Sequence, residues 1–279
     1  MVRQSFLSRL VPPRFRKSVP IIHHVRLHGA IGIGTPLRPA ITAKDTVPVL
    51  ERAFSRKGIA GVALSINSPG GSAVQSALIH TRIRTLAEKH KVPVFAFCED
   101  VAASGGYWLA CAADEIYADS SSIVGSIGVI AAGFGFVDAI EKLGIERRVH
   151  TSGDNKSILD PFQPEKKEDV KRLLSLQADV HEAFKTAVRA RREGKLKGDE
   201  KEMFSGAFWA GQQALDLGLI DGIGHLHDVL QRKFGDKFVV RTISPSSGWG
   251  LKRLGLGTDF AGSLVEAMEL RALWARYGL

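Results

Sequence analysis

The sequence predicts an α/β fold with a mostly parallel sheet. Apolar runs of strand length alternate with segments of helical periodicity along most of the chain. Two of the predicted strand-to-helix junctions carry paired glycines, Gly70-Gly71 and Gly105-Gly106. The composition, 44% hydrophobic and 24% charged over 279 residues, is that of an ordinary globular chain and excludes a disordered or fibrous protein.

The elements follow in order. Residues 1–18 read as a polar, basic arm in which Pro12-Pro13 interrupts any helix begun at Ser5. Val19 to Leu27 and Ala30 to Ile33 read as short strands joined at His28-Gly29, and Ala43 to Lys57 as a helix with Asp45 near its start. Ile59 to Ile66 is nearly continuously apolar and ends at Asn67-Ser68-Pro69-Gly70-Gly71, the pattern of a buried strand and a tight turn. Ser72 to His90 carries Val74, Leu78, Ile79, Ile83 and Leu86 at helical spacing. Val92 to Cys98 reads as a strand, Ser104 to Ala113 as a short apolar helix, and Glu115 to Ala118 and Ile127 to Ala131 as strands. Phe136 to Leu143 reads as a helix and Ile145 to His150 as a strand. A long amphipathic helix spans Pro164 to Arg192, with Val170, Leu173, Leu174, Val180 and Phe184 on its apolar side. The charged stretch Arg189 to Glu202 reads as a solvated helix end and loop. Phe238 to Ile243 completes the strands, Pro245 to Gly257 is a Gly- and Ser-rich linker, and Ser263 to Tyr277 is a helix suited to pack on a neighbouring subunit.

The formal net charge is +9, yet residues 1–44 hold eight of the 38 Lys and Arg and none of the 29 acidic residues. The basicity therefore belongs to the N-terminal arm and the body is nearly neutral. Phe6, Leu7, Leu10 and Phe15 interleave with the arginines, which favours an anionic membrane surface or subunit packing over nucleic acid. Two cysteines, Cys98 and Cys111, are too few for a disulfide framework or a cysteine-rich zinc site and read as buried thiols. No apolar run reaches transmembrane length, and Leu10-Val11-Pro12-Pro13 breaks off before a secretory h-region. The expected location is cytoplasmic, with peripheral contact at the membrane through residues 1–18.

Three local features bear on chemistry. Ser68-Pro69-Gly70-Gly71-Ser72 leaves backbone amides open at a helix start, fit to hold an oxyanion, and lacks the lysine and spacing of a phosphate loop. The same glycines also suit a plain turn with positive φ. Ala102-Ala103-Ser104-Gly105-Gly106-Tyr107-Trp108 places a serine among small residues between a strand and a helix, either a nucleophile or an N-cap. Thr151-Ser152-Gly153-Asp154-Asn155-Lys156 is a turn-rich loop with a lysine that is a base only when neutral. Bringing a lysine pKa from about 10.4 to about 7 costs about 4.6 kcal/mol, which burial must supply. A Ser-His-Asp triad is the competing mechanism; of nine histidines only His150 lies near the lysine loop, and His225-Leu226-His227 lacks companions for a metal.

Taken in order, these three motifs resemble the signal peptide peptidase A (SppA) family of serine peptidases, in its short single-domain type. Val124-Gly125-Ser126-Ile127-Gly128-Val129 and Phe208-Trp209-Ala210-Gly211-Gln212-Gln213-Ala214, leading to Gly218-Leu219-Ile220-Asp221, fit the same pattern. The resemblance implies a ClpP/crotonase-like fold of repeated ββα units, with residues 19–244 as the peptidase domain and 245–279 as linker and C-terminal helix. It implies Ser104 as nucleophile, Lys156 as general base and Ser126 as the residue that orients the lysine. Gly71 and Gly105 would form the oxyanion hole, and Gly70 and Ser68 would bind substrate. It further implies homo-oligomers in which serine and lysine can come from one chain or from neighbouring subunits, peptide substrates, and no metal or cofactor. The chain departs from many relatives in showing no N-terminal transmembrane anchor. A crotonase-type acyl-CoA enzyme and an inactive membrane-associated scaffold are the alternatives.

Overall fold

The computed structural model describes residues 19–34, 39–153, 155–245 and 260–279. The basic arm 1–18 and nearly all of the Gly- and Ser-rich stretch lie outside these residues. Strand β1 (Ile21–His28) leads to helix α1 (Ala43–Ser55), whose first turn is capped by the Thr42 hydroxyl accepting from the Asp45 amide. Strand β2 (Gly61–Ser68) and helix α2 (Ala73–His90) follow, with Ser72 as N-cap. Next come β3 (Val94–Ala103), α3 (Gly105–Ala110), β4 (Glu115–Ala118) and β5 (Ile123–Gly125). Helix α4 (Val137–Lys142) precedes the long α5 (Lys167–Arg191). The chain then runs through α6 (Glu200–Met203), β6 (Phe208–Ala210), α7 (Gly211–Asp216), β7 (Gly222–Ile223), α8 (Leu226–Phe234), β8 (Val239–Thr242) and α9 (Phe260–Ala275).

The expected α/β class is present. The sheet path is β6-β5-β3-β2-β1-β8, with β4 beside β3 and β7 beside β4, and every pair is parallel except β5–β6. Strand β3 is long enough to divide its pairing. Phe95 to Cys98 meets β4, and Val101 to Ala103 meets β5. Residues of α1, α2, α3 and α5 join the strands in the main core, while Val229 and Leu230 of α8 pack with Ile22, Ala63, Phe95 and Phe97 in a second cluster. This two-sided cover explains the near-continuous apolar run of β2. Cys98 and Cys111 are free and buried, and burial pushes both thiols up to about 12.

Several expectations need correction. Ile127 to Ala131 and Ile145 to His150 have strand-like composition but no strand partner among the described residues, where they form no ladder. The strand in that region is β5, four residues earlier. Ala30 to Ile33 reduces to bridges from Ile31 to Ile41 and Gly71. On α5 only Phe184 and Val188 are buried, and Leu174 and Leu176 are 58% and 61% exposed. The Arg189 to Glu202 stretch is not wholly solvated either. Arg192 is 2% exposed, bonded to Asp221 at 2.6 Å and to the Gly218 carbonyl at 2.7 and 3.0 Å. Lys195 reaches the other Asp221 oxygen at 2.8 Å. Burial opposes the charge of Asp221, but hydrogen bonds from Arg192 and Lys195 outweigh it and hold the carboxyl below its usual range. Among the described residues no helix is long and apolar enough to cross a membrane.

Candidate active site

Parallel pairing brings three motifs to the carboxyl ends of neighbouring strands. Ser68 at the end of β2 registers with Ala102, and Ala103 at the end of β3 registers with Gly125 at the end of β5. The chain leaves β3 at Ser104, whose φ of 52° and ψ of −122° lie outside the ordinary regions for a residue with a side chain. Such a conformation costs on the order of 1–3 kcal/mol and persists only where the surroundings enforce it. Here the Ser104 amide donates to the Gly125 carbonyl at 2.8 Å, and its carbonyl accepts from the Trp108 amide at 3.0 Å. Ser104 occupies the N-cap position of α3, yet its hydroxyl makes no capping hydrogen bond. The ordinary role of an N-cap serine is therefore not filled, and the hydroxyl is left for other chemistry.

The glycine loop is packed against this serine. A Cβ at Gly70 would lie 2.7 Å from the Ser104 Cβ and 3.0 Å from the Gly105 nitrogen, and one at Gly71 would overlap the Ile31 carbonyl oxygen. Ile31 fixes the loop from behind, donating to the Gly70 carbonyl and accepting from the Ser72 amide, each at 2.8 Å. That pattern leaves the Gly71 amide unused, and among the described residues the Gly105 amide has no partner either. Two open N–H groups thus flank a strained serine with an uncommitted hydroxyl. Such an arrangement can accept a developing oxyanion during attack on a carbonyl.

Ser68 and Gly70 sit differently from the surface role expected of them. Ser68 is fully buried, and its hydroxyl accepts from the Gly70 amide at 3.2 Å, bracing the turn from inside. The Gly70 amide is engaged by Ser68 and its carbonyl accepts from Ile31, whereas the Gly71 amide stays open.

Ser126 follows β5 with φ of 54° and is 5% exposed. Its amide donates to Ala207 at 2.7 Å, next to β6, and its hydroxyl accepts from the Tyr277 hydroxyl at 3.2 Å. Lys156 is not brought to this group. It sits exposed after a turn closed by its own amide on Gly153, and among the described residues its side chain bonds neither Ser104 nor Ser126. Asp154 of the same loop lies outside the described residues. The loop is braced further on, where Arg147 bonds Asp160 at 3.1 Å and lies 5.1 Å from the Phe162 ring, which stacks on Phe136.

Histidines take other places. His150 is exposed, and no histidine bonds Ser104 among the described residues. A Ser–His hydrogen bond does exist elsewhere, between Ser65 and His24 at 2.9 Å, beside a cavity of about 600 Å³ also lined by Glu99, Asp119 and His225. Ser65 lies inside a paired strand and is 4% exposed, so no open amide stands beside it. Two functional supports escaped sequence reasoning. Tyr107 of α3 donates its hydroxyl to the Leu219 carbonyl at 2.7 Å, and Asp221 accepts from the Ile116 amide at 2.8 Å while pairing with Arg192. The Gly218-Leu219-Ile220-Asp221 motif therefore holds α3 and β4 in place beneath the serine.

The family model for peptidase family S49 matches residues 87–238, more than half of the chain and the part holding Ser104, Ser126 and Lys156. A protein of Brucella abortus named as the Na(+)/H(+) antiporter NhaA is 52% identical over 98% of this chain, which spans only 39% of that protein. A protein of Enterococcus faecium provisionally named signal peptide peptidase SppA is 30% identical over 74% of the chain and 61% of its own length. Among solved structures, a mutant of the 1510-N membrane-bound stomatin-specific protease covers 82% of this chain and all of its own, at 14% identity and a TM-score of 0.48. The match takes in the serine turn and the lysine loop, and the chain belongs to peptidase family S49.

Proposed function

We propose that the chain is a serine endopeptidase in which Ser104 is the nucleophile and Lys156 the general base. The observation that carries this reading is the strained, uncapped Ser104 between the open amides of Gly71 and Gly105. The Ser104 hydroxyl attacks a peptide carbonyl as its proton passes to the Lys156 amine, which Ser126 orients. The oxyanion rests on the two amides; a side-chain donor in such a role contributes about 2.7–4 kcal/mol elsewhere. The lysine returns the proton to the leaving amine, and water hydrolyses the acyl-enzyme. A neutral lysine needs a desolvated setting, which the exposed Lys156 loop lacks within one chain.

A neighbouring copy supplies that setting in this reading. The segment bearing Lys156 exposes Ile130 at 63%, Phe134 at 73% and Leu143 at 73%, and α5 exposes Leu174 and Leu176. This apolar surface on the arm that carries the base favours a homo-oligomer with the dyad shared between subunits. Substrates are extended peptides pairing beside Gly71, with small or apolar side chains next to the cut. Membrane-associated peptides, including signal-peptide remnants, are the proposed class, with the basic residues 1–18 resting on anionic lipid at the cytoplasmic face. The matched part is only 39% of the Brucella abortus protein named as an antiporter, and a place near membranes is proposed for this chain as well. Residues 19–244 are the proposed catalytic domain.

Hydrolysis of casein by the full chain tests this. Ser104→Ala and Lys156→Ala are each expected to lower the rate on the order of 10³-fold or more. Full activity in both variants would overturn the dyad, and a wild-type protein inert toward every peptide would favour the scaffold alternative.

A further inference from the structure

The C-terminal helix α9 reaches the candidate site of its own chain. Tyr277, two residues beyond the helix, is 7% exposed and packs with Val101 and Ala103 of β3, beside Ile123 and Trp274. Its ring meets Phe208 of β6 edge-on, with centroids 5.3 Å apart. Ala103 directly precedes Ser104, and Phe208 directly follows Ala207, the acceptor of the Ser126 amide. At the end of this apolar sleeve the Tyr277 hydroxyl meets the Ser126 hydroxyl oxygen at 3.2 Å, its one hydrogen-bond partner among the described residues.

A buried tyrosine hydroxyl needs a partner, and a serine oxygen offers two acceptor sites and one O–H. Tyr277 fills one acceptor site. One acceptor and the O–H remain, which suffices for an amine that must both donate to Ser126 and keep its lone pair for the Ser104 proton. A serine hydroxyl otherwise rotates among three staggered positions. A donor anchored in a packed sleeve restricts that rotation. We infer that Tyr277 is a positioning residue that fixes the Ser126 hydroxyl so that it can orient the general base. This rests on the role of Ser126 proposed above.

Tyr277→Phe in the full chain keeps the ring in the sleeve and removes only the hydroxyl. Loss of one neutral hydrogen bond predicts a kcat about five- to tenfold lower with KM within about twofold, because the contact acts on the base and not on substrate. Tyr277→Ala, which also empties the sleeve, is expected to lose both kcat and stability. A Tyr277→Phe protein with wild-type kcat, beside a damaged Tyr277→Ala, would show a packing role only and overturn the inference. A rise in kcat in either variant would make α9 a strap over the site and overturn it too. The crystal structure of Tyr277→Phe provides a reading independent of activity. The Ser126 side chain is expected to spread over more than one rotamer there, and a single unchanged rotamer counts against the inference. Should wild type prove inert, the rotamer result still judges Tyr277, while the Ser104 and Lys156 variants judge the dyad.

Discussion

Replacing Gly70 by alanine perturbs the site without removing any polar group. The added Cβ would stand 2.7 Å from the Ser104 Cβ, 2.9 Å from the Ala103 carbonyl oxygen and 3.0 Å from the Gly105 nitrogen. Carbon atoms settle at about 3.5–4.0 Å, so the serine turn or the loop must retreat by roughly 1 Å. Alanine at a φ of +100° adds about 1–2 kcal/mol, and overpacking about 1–3 kcal/mol. A stability loss of about 2–5 kcal/mol follows, read from the midpoint of guanidinium unfolding. A nucleophile displaced by about 1 Å loses on the order of 10²-fold in rate. Gly58→Ala is the control, since Gly58 has a φ of +77° but nothing within 4 Å of the added atom. That variant is expected to lose about 1–2 kcal/mol and no activity. A folded Gly70→Ala protein with wild-type kcat/KM would refute the claim that this loop sets the position of Ser104.

Three further outcomes are expected. Asp221→Ala leaves the guanidinium of Arg192 buried without its carboxylate, and unfolding should show a loss of about 3–5 kcal/mol. Burial first, then the charges of Arg191 and Arg84, lower the pKa of His80 to about 4. The folded ring stays neutral while the unfolded one charges near 6.5, so its contribution is complete above pH 6.5 and is lost as pH falls toward 4. Denaturation across that window should lose as much as about 3 kcal/mol, and His80→Gln should flatten the slope. Replacing Ile130 and Leu174 together by glutamate removes apolar surface from the Lys156 arm and from α5. Light scattering should then report a smaller assembly together with lost hydrolysis; an unchanged mass contradicts the proposed interface.

Much of this was legible because periodicity and glycine placement are local signals. The spacing of Ile79, Ile83 and Leu86 gave α2, and paired glycines marked both turns that meet at the site. Composition misled where pairing decides. Ile145 to His150 has the residues of a strand and no neighbour to bond among the described residues, whereas β6 and β7, three and two residues long, are too short to show a period. Arg192 was hidden among charged neighbours, since nothing local tells a buried arginine from a solvated one; its partner Asp221 lies 29 residues on. The apolar side of α5 was visible, but its exposed half finds no cover among the described residues, which no helical period reveals. Tyr277 likewise reaches Ser126 across 151 residues.

Mixing two inactive proteins tests the central claim most directly. Ser104→Ala retains a good lysine and Lys156→Ala a good serine, so a dyad shared between copies is restored wherever the two meet in the right order. After subunit exchange at equal amounts, about one junction in four is intact in a cyclic assembly, and hydrolysis should return to about a quarter of wild type. No recovery, with exchange verified by mass, would contradict a Ser104–Lys156 dyad formed between neighbouring subunits.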